Sequence, residues 1–186
     1  MLFTPENYNE FDASKLHISS SFVDKYYVKQ YNILYDNSKL EIETPEVKFP
    51  KGVYYNKFKQ RQTCIYSTDI HFMKFIKKLE RAINNFCKKK NTSFQVFPDD
   101  IKLRLIQSEI ESIKLRLMYG NNIYINFENG LSPIIHVNGD ATVIYSSSTP
   151  LNGKIKFIIQ CVTYSNSTKN WSLTTYAKFI EAHAIL

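Results

Sequence analysis

The sequence is poor in the residues that build most catalytic and cofactor-binding loops. It has only five glycines, and none of them lies in a GxGxxG, GxxxxGK or GxSxG pattern. Glycine-rich phosphate loops and a nucleophile elbow are therefore excluded as local motifs. The four histidines stand apart from any Cys, Asp or Glu at metal-ligand spacing. We expect no catalytic residue, no metal site and no cofactor, and we predict that the protein is not an enzyme.

Cysteine and long apolar runs are also scarce. The three cysteines, Cys64, Cys87 and Cys161, form no CxxC pair, which is typical of free thiols in a reducing compartment. No stretch approaches the roughly 18 uncharged apolar residues that a membrane span needs. The first residues lack the basic and apolar pattern of a secretory signal. These absences predict an intracellular protein that is not secreted and has no membrane partner.

What the sequence does contain is positive charge and aromatic rings. Lys and Arg number 24 against 17 Asp and Glu, which gives a formal net charge of +7, and there are 13 Tyr and 13 Phe. A surplus of this size favours a polyanionic partner, nucleic acid first and an acidic lipid surface second. The alternative is a basic domain whose charge only keeps it soluble.

The periodic segments predict an α+β fold that is mostly antiparallel β. Residues 26–35 and 39–43 are rich in β-formers and flank a turn at Asp36-Asn37-Ser38, so they are expected to form a hairpin. Later turn signals recur roughly every 8–12 residues, as in antiparallel barrels and sandwiches. We predict an OB-like barrel or sandwich over residues 14–186, one globular domain, preceded by a flexible arm at 1–13.

One long helix is expected inside this β pattern, over about residues 69–90. Its apolar residues recur at spacings of three and four, at Phe72, Ile76, Leu79, Ile83 and Phe86. Thr68 or Asp69 can cap its start, and Lys88-Lys89-Lys90 is expected in its last turn, where cations complement the helix dipole.

The segment that follows the helix is ambiguous. The sequence IKLRL occurs at 101–105 and again at 113–117, with spacings that fit a helix and alternation that fits a strand. We favour a strand for the second copy, because Tyr119-Gly120-Asn121-Asn122 resembles a hairpin turn into 123–127.

Residues 51–66, KGVYYNKFKQRQTCIY, combine the two features that a single-strand binder needs. Cations can follow the phosphates, and aromatic rings can stack on bases at about 1–3 kcal/mol per base. No acid occurs between Lys48 and Asp69, and an extended conformation would set Lys57, Lys59 and Arg61 in a row about 7 Å apart. The candidate binding residues are Lys51, Tyr54, Tyr55, Lys57, Phe58, Lys59, Arg61 and Tyr66, with Lys114 and Arg116 added from the second IKLRL. The alternative is that the rings are core and the lysines an ordinary solvated face.

The order of these segments resembles single-stranded-DNA-binding-like proteins of nucleocytoplasmic large DNA viruses. YNILY at 31–35, LEIETP at 40–45 and FPKGV at 49–53 are similar to a pattern in which a strand ends in Q/E-T-P and a proline-glycine turn follows. Residues 72–83 resemble that family's helix, 113–117 its LRVKL strand, and 155–162, 171–173 and 176–185 its last two strands. Glu46 departs from the pattern, since an aromatic often follows the Thr-Pro.

The resemblance, which covers about residues 26–185, implies an OB-like fold that binds nucleic acid in the host cytoplasm or at a viral replication site. Together with the 51–66 segment it predicts sequence-tolerant binding of single-stranded DNA during viral replication or repair. The alternative function is a structural or scaffold role, such as a minor virion component, with aromatic protein interfaces. Partners would then be a second copy of the chain or other viral proteins.

Overall fold

A computed structural model describes residues 1–19, 22–23, 28–94, 115–127, 134–137, 140–141, 150–165 and 170–184. The described strands are β1 (Leu2–Phe3), β2 (Leu16–Ile18), β3 (Phe22–Val23), β4 (Val28–Tyr35), β5 (Ser38–Glu43), β6 (Val47–Phe49), β7 (Val53–Tyr55), β8 (Arg61–Tyr66), β9 (Asn122–Asn126), β10 (Ile134–Val137), β11 (Asp140–Ala141), β12 (Leu151–Ser165) and β13 (Asn170–Ala184). Helix α1 spans Ile70–Phe94, and short 3-10 helices span Tyr8–Glu10 and Ala13–Lys15.

Five of these strands close a barrel. β6, β8 and β9 pair in antiparallel fashion, β9 lies parallel to β13, and β13 pairs with β12, which returns to β6. Taken in chain order, the barrel strands are arranged 1-2-3-5-4-1 around the ring. The predicted OB-like, mostly β fold with one long helix is confirmed, and of the two architectures considered the chain adopts the barrel.

The two longest strands join the barrel to a second group of strands. β12 and β13 have 15 residues each and pair along their whole length, with register shifts between Lys156 and Phe157 and between Ile159 and Cys161. The other edge of β12 pairs with β6, then β5, then β4. β1 adds to β5, whereas β2 and β3 pair with β4. One continuous hydrophobic cluster includes side chains of the barrel, of these added strands and of α1.

The predicted hairpin at the start of this group is present, with tight turn chemistry. β4 and β5 pair Tyr35 with Ser38 across Asp36 and Asn37, which have φ of 50° and 60°. Positive φ at both central residues is the geometry of a type I′ turn, which Asn and Asp tolerate. Thr44, which follows β5 and precedes Pro45, continues the contact with β12. Its Oγ1 accepts the Ile155 N–H at 3.1 Å.

The helix prediction is confirmed, and the helix is longer than expected. Asp69 caps it, because its Oδ1 accepts the backbone N–H of Phe72 at 2.7 Å. The helix continues to Phe94, so Lys88-Lys89-Lys90 does not lie in its last turn as predicted. Among the described residues, no helix has the length and apolar character needed to cross a membrane.

The prediction of a loose arm at residues 1–13 is wrong. β1 pairs with β5, and Phe3 is fully buried with its ring 4.9 Å from Tyr35 and 5.1 Å from Phe75. Tyr8 stacks on Phe75 at 4.8 Å and donates a hydrogen bond to the carbonyl of Glu43. The buried rings of Phe3, Tyr8 and Phe11 therefore attach this segment to the core, although its polar composition suggested a loose arm.

The strand predicted at 113–117 is also not found in the part that the structure describes. Residues 115–117 form no strand, and 113 and 114 lie outside the described residues. The backbone is satisfied by α1 instead: Asn84 accepts the Leu115 N–H at 2.9 Å and donates to the Leu115 carbonyl at 2.7 Å. Glu80 accepts the Leu117 N–H at 2.7 Å. Helix side chains thus replace the neighbouring strand that alternation implied.

Candidate nucleic-acid interface

The outer side of β7, β8 and β9 carries a set of polar and aromatic side chains. The inward side chains of β8 and β9 include Ile65, Ile123 and Ile125, all in the core. Residues of the opposite parity face outward, and partners in the antiparallel register share that face. We call this surface the tyrosine face; its residues are Tyr54, Gln62, Cys64, Tyr66, Asn122, Tyr124 and Asn126.

The register arranges the tyrosine face in three rows. Tyr54, Gln62 and Asn126 form the first row, Cys64 and Tyr124 the second, and Tyr66 and Asn122 the third. The third row continues onto β6, where the exposed Lys48 pairs with Tyr66. Successive rows are two residues apart along each strand, or about 7 Å. The face therefore presents rings at regular steps on a rigid sheet.

Hydrogen bonds across the strands fix the first row. The Tyr54 hydroxyl donates to Oε1 of Gln62 at 3.2 Å, and Nε2 of Gln62 donates to Oδ1 of Asn126 at 3.0 Å. The Gln62 amide is thus engaged at both ends, and its oxygen holds the Tyr54 hydroxyl in place. The first row is therefore preorganised.

The pKa values of the thiol and of two phenols of the tyrosine face are raised. Burial raises the pKa of Cys64, and the neighbouring Cys64 raises the pKa of Tyr124. Burial also raises the pKa of Tyr54. A raised pKa favours the protonated form of a thiol or phenol, so this surface gains no negative charge near neutral pH.

A tight loop projects beside this face, between β7 and β8. Asn56 organises it: Oδ1 of Asn56 accepts the N–H groups of Phe58 at 2.9 Å and Gln60 at 3.1 Å, and its backbone pairs with Lys59 and Gln60. Lys59 has a φ of 61°, which turns the chain. We call residues 57–59 the loop tip; Lys57, Phe58 and Lys59 are all exposed there, Phe58 by 71%.

A second turn, between β6 and β7, anchors the other end of β7 to the barrel. The Phe49 carbonyl accepts the Gly52 N–H at 3.2 Å, which closes the predicted turn at Pro50-Lys51-Gly52. The hydroxyl of Thr63 donates to the Gly52 carbonyl at 2.8 Å. The Lys51 ammonium lies 5.8 Å from the centre of the Tyr54 ring. The turn thus places a cation above a ring of the tyrosine face.

Four lysines border the tyrosine face or lie at the loop tip. In the part of the chain that the structure describes, none of Lys48, Lys51, Lys57 and Lys59 forms a salt bridge. The Lys57 ammonium instead lies 5.0 Å from the Phe58 ring centre. Positive charge and exposed rings therefore occur together here, and no carboxylate of the described residues pairs with these four lysines.

The structure separates the predicted site residues into groups. Tyr54 and Tyr66 belong to the tyrosine face, and Lys51 borders it.

The predicted cation row is wrong, because residues 56–60 form a loop and not an extended strand. Lys57 and Lys59 lie at the loop tip with Phe58, and Arg61 has the opposite parity on β8, its guanidinium 5.7 Å from the Phe127 ring. Tyr55 pairs with Arg61 on that other side and is 56% exposed.

The last two predicted residues are not brought to this region. Lys114 lies outside the described residues. Arg116 is exposed beside α1, in the segment that Asn84 and Glu80 hold, and no described contact joins it to the tyrosine face. The strand that was expected to carry both cations is absent at 115–117, which explains the difference.

Three residues of this candidate interface were not predicted from the sequence. Tyr124 is 43% exposed at the centre of the tyrosine face, and Tyr119 lies 5.9 Å from it in an edge-to-face contact. Lys48 completes the third row. The alternation of 122–127 does contain a signal for Tyr124, since a tyrosine stands between Ile123 and Ile125 on the opposite face. The position of Lys48 depends on the β6–β8 register, which has no local signal.

Among the described residues, no three His, Cys, Asp or Glu side chains are grouped as a metal site would require. No protein-family model matches the chain, and a search of curated proteins gives no match either.

Proposed function

We propose that this protein binds single-stranded nucleic acid, DNA in preference, with little dependence on sequence. The binding surface is the tyrosine face together with Lys51 and the loop tip. The observation that carries the proposal is the coincidence of exposed rings and exposed cations on barrel strands 2 and 3 and the loop between strands 1 and 2. In OB-fold barrels this face and this loop bind oligonucleotides.

The mechanism follows from the two kinds of side chain. Lys48, Lys51, Lys57 and Lys59 neutralise phosphates and release counterions, which makes the affinity fall steeply with salt. The rings of Tyr54, Tyr66 and Tyr124 stack on bases, and stacking tolerates any base because every base has a π-face. Phenols are uncharged near neutral pH, and the raised pKa values of Tyr54 and Tyr124 extend that neutral range further upward.

The biological role proposed with this activity is protection of single-stranded DNA during replication or repair in a large DNA virus. It rests on the resemblance of residues 31–53 to single-stranded-DNA-binding-like proteins of such viruses. The alternative, a scaffold protein with aromatic interfaces, uses the same exposed rings, because aromatic residues are enriched at protein interfaces as well.

A direct test is fluorescence anisotropy with labelled oligo-dT over a range of salt concentrations. We expect Tyr124→Ala to weaken binding about 5- to 150-fold, the equivalent of about 1–3 kcal/mol of lost stacking. Tyr124→Phe is the matched control, since it keeps the ring and removes only the hydroxyl. It should bind nearly as well as the wild type.

The proposal would be wrong if the wild type did not bind oligo-dT at low salt, or if Tyr124→Ala bound it unchanged. A scaffold role has its own signature, which is self-association without nucleic acid that Tyr124→Ala abolishes. Sedimentation velocity of both proteins separates the two functions.

A further inference from the structure

We propose that helix α1 carries a second binding surface, which contacts the phosphate backbone of duplex nucleic acid. The helix sequence contains seven Lys and Arg but one acid, Glu80. Lys74, Lys78 and Arg81 are all exposed and follow one another at spacings of four and three residues. That spacing places them on one side of the helix, about 6 and 4.5 Å apart along its axis.

A cleft extends this cationic stripe towards the C-terminal half of the helix. It has a volume of about 350 Å³, and its lining includes the cationic Arg81, Lys88 and Arg116 together with Asn85 and the carboxylate of Glu80. Asn84 holds the backbone of Leu115, and this contact positions Arg116 beside the helix. Two guanidinium groups and an ammonium thus surround a space large enough for a phosphate group, and Arg is well suited to bind phosphate in two-point geometry.

The acids nearest the stripe are already engaged by other groups. Oε2 of Glu80 accepts the N–H groups of Leu117 at 2.7 Å and Met118 at 3.3 Å. Asp12, which borders the stripe near Lys78, accepts two hydrogen bonds from Ser14. Within the described residues, no salt bridge neutralises Lys74, Lys78, Arg81, Lys88 or Arg116.

Among the described residues, the stripe differs from the tyrosine face in having no exposed Phe, Tyr or Trp ring, and its one exposed aromatic side chain is the smaller imidazole of His71. Of the described aromatic side chains of α1, Phe72 and Phe75 are buried in the core and Phe86 packs 5.5 Å from Tyr31. A surface of cations without such rings gains little from unpaired bases and recognises phosphates alone. Duplex nucleic acid presents its phosphates outward with the bases stacked inside, so it is the partner that this chemistry fits.

An anionic membrane fits less well. A helix that binds a membrane surface inserts its apolar side between the lipids. The apolar residues of α1, among them Ile76, Leu79 and Ile83, are buried against the barrel instead. An acidic protein segment would also meet the charge, and it is distinguished by the experiment.

The test compares two double variants that change the net charge equally. Lys74→Glu with Lys78→Glu removes the stripe, whereas Lys39→Glu with Lys154→Glu alters two exposed lysines elsewhere. Binding of the full chain to a blunt-ended duplex and to oligo-dT is measured by anisotropy over a range of salt concentrations. We expect the stripe variant to bind the duplex about tenfold less tightly, with a salt slope smaller by about two, one for each phosphate that the helix no longer neutralises.

In the same experiment the Lys39/Lys154 variant should bind the duplex within about twofold of the wild type. The stripe variant should bind oligo-dT as tightly as the wild type does. Equal losses in both double variants would overturn the inference, since net charge alone would then explain them. So would a wild type that binds no duplex at low salt but binds a polyglutamate peptide through the stripe. If the wild type bound the duplex through the stripe but did not bind oligo-dT, the proposed function would be rejected and this inference would stand.

Discussion

Lysines on two sides of the barrel are used in different ways. One lysine of β12 and one of β13 are paired with carboxylates of β5: Nζ of Lys156 lies 3.5 Å from a Glu43 carboxylate oxygen, and Nζ of Lys178 lies 2.7 Å from Glu41. Around the tyrosine face, Lys51 lies over a ring instead. Within the described residues, it has no carboxylate partner.

The difference shows that a net charge of +7 is not a uniform property of the surface. Where Glu alternates with Lys along paired strands, the charges cancel locally and attract a polyanion little. Where residues 49–68 contain no acid, the positive potential adds up. The paired side contributes to the closed fold, whereas the tyrosine face and the loop tip form the proposed binding surface.

The largest effect is expected on the paired side, where β6, β12 and β13 meet at Gly153. A Cβ at this position would lie 2.0 Å from the Glu181 carbonyl oxygen and 2.6 Å from Cα of Ala182. Both neighbours are backbone and cannot move aside without opening the barrel. We expect Gly153→Ala to lower the free energy of unfolding by about 3 kcal/mol, measured by denaturant titration.

Gly120→Ala is the matched control for this substitution. Gly120 has a φ of 62° and no atom within 4 Å of the added Cβ, so only backbone strain of about 1 kcal/mol is expected. If Gly153→Ala cost no more than Gly120→Ala, the tight closure of the barrel at this seam would be refuted.

Removing cations from each side in turn tests the comparison itself. Neutralising Lys51, Lys57 and Lys59 to Gln should weaken oligo-dT binding on the order of 10- to 100-fold at low salt, because up to three phosphates of the bound strand are then left without a cation. The control variant neutralises Lys154, Lys156 and Lys178 and should bind within about threefold of the wild type, since two of these lysines are already paired. Equal losses in the two triple variants, measured by anisotropy, would mean that only net charge matters.

Local signals in the sequence predicted the parts of the fold that depend on neighbours along the chain. The apolar spacing of α1, its Asp69 cap and the Asp36-Asn37 turn were all recognisable, because each is formed within a few residues. Residues 51–66 could also be recognised as a basic and aromatic segment, since their lack of acids is a property of composition. The loop geometry of this segment could not be predicted, because it depends on the Asn56 side chain and on a positive φ at Lys59.

Features that depend on distant partners could not be predicted. Phe3 is buried by Tyr35 and Phe75, and nothing near Phe3 in the sequence shows that these rings will cover it. The alternation at 115–117 suggested a strand, but Asn84 and Glu80 satisfy that backbone from the helix. Register likewise decided which residues join the tyrosine face.

A smaller effect concerns Cys64, which lies directly across β8 and β9 from Tyr124. The Cys64 thiol is buried and burial raises its pKa, so we expect slow alkylation at neutral pH and faster alkylation as the pH rises. Tyr124→Ala should speed the reaction severalfold by exposing the thiol, because burial is the largest cause of its raised pKa and outweighs the Tyr124 hydrogen bond, which lowers that pKa.

Mass spectrometry of the alkylated peptides measures this change, with Cys87 as the internal control. Cys87 belongs to the buried side of α1, and burial raises its pKa to about 12, so it should stay unreactive in both proteins. Bound oligo-dT should also protect Cys64 in the wild type. If Tyr124→Ala labelled Cys64 no faster than the wild type does, Tyr124 would not be the cover of the thiol.

The smallest effect is expected from the tightest ion pair on the paired side. Glu41→Gln removes the partner of Lys178, whose side chain is 45% exposed, and an exposed pair contributes only about 0.5 kcal/mol because water and salt screen it. The free energy of unfolding, measured by denaturant titration, should therefore change little. The substitution also releases one cation on the side away from the tyrosine face, and oligo-dT binding should stay the same within error. Stronger binding by Glu41→Gln would show that the strand passes β5 and β13 as well, and the division between a paired side and a binding side would then be wrong.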